Sequence, residues 1–242
     1  MSTYTIEIAT TDIPTTEAAV AGGADRIELC SALSEGGLTP SHGVIRSCRD
    51  RFNVALFPII RPRGGDFLYS DDELAAMLTD VQLCKALGCD GVVLGALDAS
   101  GNLPLPALAR LVNAAYPMEV TFHRAFDRCR DPFAALEQLI ELGVQRILTS
   151  GQQRTAPEGA ALIRQLREAA DERIVLMPGS GVRADNIKAL AEATGCTEFH
   201  SSLRGRTESG MQFRHPSFAD TDFVRDAIDA AAVRELRNAL ES

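Results

Sequence analysis

Four stretches of the chain resemble one another: Gly23-Ala-Asp-Arg-Ile-Glu-Leu29, Gly88-Cys-Asp-Gly-Val-Val-Leu94, Gly143-Val-Gln-Arg-Ile-Leu-Thr149 and Gly195-Cys-Thr-Glu-Phe-His-Ser201. Each reads as a glycine that closes a helix, a two-residue link and a short strand. Glycine suits that closing position because the residue after a helix commonly turns left-handed. The repeats start 65, 55 and 52 residues apart. That is too long for one strand-helix unit and right for two. Four repeats of two units make an α/β chain with a (β/α)8 TIM barrel. With no linker or low-complexity segment, residues 1–242 read as one domain.

The remaining elements fall where this scheme needs them. Strands are expected at Tyr4–Ala9, Arg26–Cys30, Val54–Arg61, Gly91–Ala96, Glu119–His123, Gln145–Ser150, Ile174–Pro178 and Thr197–Ser201. Helices are expected from Thr16 to Gly22, after a cap at Ser41, at Asp71–Leu87 behind the Ser70/Glu73 capping box, and near Leu105–Ala115. Asp131-Pro132 opens another that runs to Leu142, and Pro157–Ala170, Ala184–Ala193 and Asp220–Leu240 complete the set. A long loop is expected from Leu203 to Ser217.

Side chains alternate along a strand, so parity separates the barrel interior from the layer facing the helices. Ile6, Ile8, Ile27, Leu29, Val120, Phe122 and Phe199 face the helices. Glu7, Arg26, Glu28, Cys30, Thr121, His123, Glu198 and His200 then face inward, with Arg61 at the top of strand three. Buried charges are costly unless paired. Two readings stay open: a plug of ion pairs, such as Arg26 or Arg61 with Glu7 and Glu28, or a site at the C-terminal ends of the strands. On the second reading Glu7, Glu28, His123 and His200 form an acid/base cluster.

The loops after the strands carry the candidate ligand contacts. Arg61-Pro-Arg63-Gly-Gly-Asp66 contains two arginines suited to clamping an anion. Arg124 and Asp127 follow His123, as substrate contacts or as groups that orient it. Gly179-Ser180-Gly181 follows strand seven, with Ser150 and Ser201 on its neighbours. Turns there hold phosphate on backbone N–H groups in many barrels, although a tight turn alone also explains the glycines. Schiff-base chemistry is not expected, since neither lysine, Lys85 nor Lys188, sits at a strand end. Cys30 could hold a soft ion such as Cu(I), and Glu28, His123 and His200 a harder one, but one thiolate is not a site and no ligand spacing supports either.

A net charge of −9 with no basic stripe argues against nucleic acid as a partner. No apolar run reaches membrane-spanning length, and no leader precedes the first strand, so a cytoplasmic location without membrane contact is expected. The six cysteines show no metal-binding spacing and read as free thiols of a reducing compartment. Of 24 basic residues only two are lysines, an excess of arginine that codon bias or an anionic ligand would equally explain.

Several long motifs resemble the CutC family: residues 22–30 and 35–41, Arg61-Pro-Arg-Gly-Gly-Asp-Phe67 with Tyr69-Ser-Asp71, Thr121-Phe-His-Arg-Ala-Phe-Asp127, Arg146-Ile-Leu-Thr-Ser-Gly151 and Glu198-Phe-His-Ser-Ser202. The resemblance implies a cytoplasmic TIM barrel associated with copper homeostasis, often a homo-oligomer (dimer or tetramer), with copper held by cysteines near the barrel mouth. Cys30 matches the strand-two cysteine of that pattern. Where some members have a second cysteine, at the end of strand one, this sequence has Ala9. The ligand is thus expected to be copper or a small anionic or phosphorylated substrate.

Overall fold

The computed structural model describes residues 4–218 and 223–241. Strands and helices alternate in the order β1 (Thr5–Thr10), α1 (Ile13–Ala21), β2 (Arg26–Leu29), α2 (His42–Arg51), β3 (Ala55–Pro58), α3 (Asp71–Ala86), β4 (Gly91–Leu94) and α4 (Leu105–Ala115). They continue as β5 (Glu119–Phe122), α5 (Pro132–Glu141), β6 (Arg146–Thr149), α6 (Ala160–Ala170), β7 (Val175–Pro178), α7 (Ile187–Thr194) and β8 (Glu198–Ser201). Parallel ladders run in the orders β3-β2-β1-β8 and β4-β5-β6-β7. The two halves join where Ile59 bridges Val93 and the Ile60 N–H reaches the Val93 carbonyl at 2.7 Å. On the far side β7 lies against β8, which closes a (β/α)8 TIM barrel.

The repeat glycines behave as the pattern requires. Gly23, Gly88, Gly143 and Gly195 have φ of +94°, +73°, +76° and +69°, so each leaves its helix through the left-handed region. Ile6, Ile8, Ile27, Leu29, Val120, Phe122 and Phe199 are buried in the large apolar layer between strands and helices. A smaller cluster of Cys30, Phe57, Ile59 and Val93 fills part of the barrel interior.

Beneath the mouth the interior is sealed by ions. Arg26 pairs with Glu7 and Glu198, each at 2.6 Å. Arg146 pairs with Glu198 at 2.5 Å and Glu119 at 3.2 Å and donates to the Thr121 hydroxyl. Both guanidiniums lie over the Phe57 ring, at 5.3 and 5.6 Å. An ion plug and an open mouth therefore coexist at different depths, and Arg61 belongs to the mouth alone.

Several expected boundaries shift. Helix α1 starts at Ile13, because Asp12 and Thr15 form a capping box and Pro14 occupies the first turn. Helix α6 starts at Ala160, after Gly159, where a Cβ would fall 1.9 Å from the Ser150 carbonyl oxygen, and α7 starts at Ile187. The segment expected as a loop running into a C-terminal helix instead holds an antiparallel hairpin, β9 (Gly205–Glu208) with β10 (Val224–Ala227), before α8 (Ala230–Glu241). The expected start of that helix, Asp220, lies outside the described residues. Helix α8 closes against α1 at Gly22, where a Cβ would sit 2.5 Å from the Val233 Cβ.

Candidate functional site

The loops at the C-terminal ends of the strands surround a cavity of about 1220 Å³. Its walls include Glu28, Arg61, Phe67, His123, His200 and Ser201. Arg124, Arg128, Arg154, Arg183 and Arg204 join Arg61 around it, against Glu28, Glu35 and Asp127. Among the described residues, the Arg128, Arg154 and Arg183 side chains have no ion-pair partner. Three residues on the wall other than glycine, Gln152, Ser180 and Leu203, have φ of +56°, +78° and +40°. Such strain persists only where the surroundings hold it, and it gathers at ligand sites.

The deeper polar residues form a graded set. The Glu7 carboxylate, fully buried, accepts from Arg26 on one oxygen and meets His200 Nδ1 at 2.7 Å on the other. Burial pushes its pKa up, but Arg26 and His200 override this and hold it at about 2. His200 Nε2 lies 3.8 Å from Glu28. Burial pulls the imidazole down, yet Glu28 and Glu7 leave it above the usual histidine value. Burial raises the Glu28 carboxyl to about 7, His200 opposing and Glu7 assisting. His123 Nδ1 accepts the Ala125 N–H at 3.2 Å, which puts the proton of the neutral ring on Nε2. Burial, then the charge of Arg61, keep this ring neutral, with a pKa of about 3.

Around these, the loops are tied by hydrogen bonds. Asp127 accepts from Arg124 Nε, the Thr149 hydroxyl and the Ser150 and Gln152 N–H groups. Arg124 also donates to the Ser150 hydroxyl at 2.6 Å. Arg61 is buried, with its amino groups on the carbonyls of Glu35, Gly37 and Gly65 and its guanidinium 5.0 Å from the Phe67 ring. After β7, Ser180 and Gly181 reach the wall while Gly179 lies below it, with Leu148 where a Cβ would go. The N–H groups of Gly181 and Ser202 meet no acceptor among the described residues, a fitting place for anion oxygens.

Of the sequence-derived candidates, Glu28, His123, His200, Arg61, Arg124, Asp127, Ser180, Gly181 and Ser201 come together on the cavity wall. Glu7 and Ser150 stand behind it as partners of His200 and Arg124. Arg63 and Asp66 do not join them. Arg63 turns away to Glu73 at 2.5 Å, Asp66 at 2.9 Å and the Leu68 carbonyl, and so ties its loop to α3. Sequence reasoning missed Arg128, Arg154, Arg183 and Arg204. All lie beyond strand ends, Arg128 in a 3-10 turn and the others on irregular loops where no period marks direction, and the arginine excess was their only signal.

Copper is what the family resemblance implies, and the donors here can be compared with that. Cys30 is fully buried, donates its S–H to the Thr10 carbonyl at 3.3 Å and is absent from the cavity wall. Burial raises its pKa well above the usual thiol value, so thiolate is disfavoured. Ala9 supplies no second sulfur. Ligand atoms of Glu7, Glu28 and His200 lie within 4.8 Å of one another. Both Glu7 oxygens are already engaged, however, one by a cation. Neither set fits a copper ion as the side chains stand.

A family model, CutC, matches residues 4–205. The chain belongs to the CutC family. The CutC protein of Chromobacterium violaceum is 50% identical over 242 residues, 98% of either chain. The human copper homeostasis protein cutC homolog is 48% identical over 89% of this chain and 79% of its own. The crystal structure of CutC from Streptococcus agalactiae superimposes with a TM-score of 0.78 at 32% identity, covering 81% of this chain and 97% of that one. The copper link of this CutC-family chain thus comes from the naming of its relatives. Among the described residues no helix is long and apolar enough to cross a membrane.

Proposed function

We propose that this chain is a cytoplasmic, single-domain barrel whose mouth binds a small anionic, phosphate-bearing ligand. The copper-homeostasis role named for its human relative is, on this reading, exerted through that ligand rather than through Cu(I) held on Cys30. The observation that carries it is the cavity rimmed by six arginines, of which only Arg124 has a carboxylate partner among the described residues. Free N–H groups at Gly181 and Ser202 on the same wall favour tetrahedral oxyanions. Six free, buried cysteines suit a reducing cytoplasm.

Calorimetry with inorganic phosphate and glycerol 3-phosphate tests the reading. Binding is expected, and Arg154→Ala with Arg183→Ala together should weaken it by about tenfold. No heat of binding from either anion at millimolar concentration would exclude it. For copper, competition for Cu(I) against a chromogenic chelator should give the same stoichiometry for the parent and Cys30→Ser. Uptake of one ion that disappears in the mutant would restore the thiolate site.

We further propose that the expected homo-oligomer, dimer or tetramer, forms through the hairpin side, a reading supported by the 58% and 70% exposure of Met211 and Phe213. Sedimentation should show a smaller species for Phe213→Asp than for the parent, and identical species would remove this assignment.

A further inference from the structure

His123 carries an unmet hydrogen-bond donor. Its Nδ1 is taken by the Ala125 N–H, and its Nε2 is buried with no partner among the described residues. The ring is held against Phe67, with centroids 4.9 Å apart, and Gly95 leaves it room, since a Cβ there would stand 2.6 Å from Nδ1. An unsatisfied buried donor costs about 1–3 kcal/mol. Here it belongs to a residue of the cavity wall, where a ligand oxygen can satisfy it.

Three strands away round the barrel stands Glu28. It is buried, lines the same cavity and accepts no hydrogen bond among the described residues. The groups facing it are His200 and Glu7, with Arg26 below and the Cys30 thiol just past the end of β2. The contrast with Glu7 is sharp. One carboxylate is fixed by a guanidinium, while the other, with a pKa of about 7, can gain or lose a proton near neutrality. Two groups whose environments drive them to opposite roles mark out a proton-transfer site.

Resting on the anion-binding reading of the mouth, we propose that this site enolises a phosphorylated hydroxy-carbonyl compound, with Glu28 as base and neutral His123 as hydrogen-bond donor to the carbonyl oxygen. A Glu28 oxygen takes the proton from the carbon beside the carbonyl. The C–H electron pair becomes the carbon-carbon π bond, and the carbonyl π pair moves onto oxygen, where the Nε2–H of His123 stabilises the charge. Return of the proton from Glu28 to the neighbouring carbon, with the hydroxyl proton shifted to the first oxygen, gives the isomer. Atoms and electrons balance with no oxidant or second substrate. A neutral imidazole suits this step because a donor need not first be protonated. Neither lysine lines the cavity, so the described residues offer no amine there for an imine route.

The test compares 2-phosphoglycolate, whose planar carboxylate mimics the enediolate, with glycerol 3-phosphate by calorimetry at pH 6 and pH 8. Phosphoglycolate should bind at least about tenfold tighter at pH 6, one good hydrogen bond's worth. The preference should shrink at pH 8, where Glu28 is ionised and repels the carboxylate. Glu28→Gln should keep it at both pH values. His123→Phe, which preserves the stacking on Phe67, should abolish the preference by lowering phosphoglycolate affinity about tenfold, while inorganic phosphate still binds. Nitrogen-15 NMR of the parent should show His123 as one neutral Nε2–H tautomer from pH 5 to 9. Equal affinity for the two probes, or a preference that survives His123→Phe, overturns enolisation while the anion site stands. Failure of both probes to bind removes both readings.

Discussion

At the scale of single residues, the absence of a side chain at position 95 fixes His123. Gly95→Ala would place a methyl 2.6 Å from Nδ1, 2.7 Å from Cε1 and 3.2 Å from the Ala125 Cβ. The ring has to leave its bond to the Ala125 N–H. A loss of about 1–3 kcal/mol is expected from urea titration, together with loss of any phosphoglycolate preference. Gly43 provides the contrast. It lies in α2, and a methyl there would meet nothing within 4 Å, so Gly43→Ala should raise stability by about 0.4–1 kcal/mol. An unchanged urea midpoint in the first variant would mean the imidazole has another resting place.

At the scale of elements, the plug is where strands from both halves of the barrel meet. Arg26 from β2 reaches Glu7 on β1 and Glu198 on β8, and Arg146 from β6 reaches Glu198 from the other half. Arg26→Met would leave two carboxylates short of a partner in a sealed interior. A cost of about 3–5 kcal/mol is expected by urea titration, far above that of a surface ion pair. The repeat glycines and strand parity made the barrel, Arg26, Glu28, His123 and His200 legible, because helix ends and pleats have fixed geometry. The hairpin was not legible. Its exposed strands, Gly205–Glu208 and Val224–Ala227, lack the apolar alternation that a half-buried strand shows. The direction of Arg63 was also hidden. Sequence shows Glu73 in a capping box with Ser70, but not that its other oxygen draws Arg63 away from the mouth.

For the whole molecule, the buried titrating groups pull in opposite directions as pH changes. His123 is depressed from 6.5 to about 3 and Glu7 from 4.5 to about 2. Their contributions are complete above 6.5 and 4.5 and are lost as pH falls through those windows. Glu28 is raised from 4.5 to about 7, and His200 is raised too. Stability from Glu28 is complete below 4.5 and lost as pH rises towards 7, and that from His200 is lost as pH rises through its elevated value. Thermal melts from pH 3 to 9 should therefore fall away on both sides of a mildly acidic maximum. His123→Phe should flatten the acid limb, and Glu28→Gln the decline towards pH 7. A parent profile unchanged by either variant would place the controlling groups elsewhere.

The arginine rim also bears on how fast a ligand arrives. The chain carries a net charge of −9, yet one end presents six guanidiniums around a recess. Charge is thus separated along the barrel axis: the acidic bulk repels anions, and field lines converge on the opening. Such focusing raises association rates by about 10–1000-fold at low ionic strength. At a physiological Debye length of about 8 Å, a passing anion feels the opening only once it is nearly there. Capture should then be governed by salt, and release by the hydrogen bonds within.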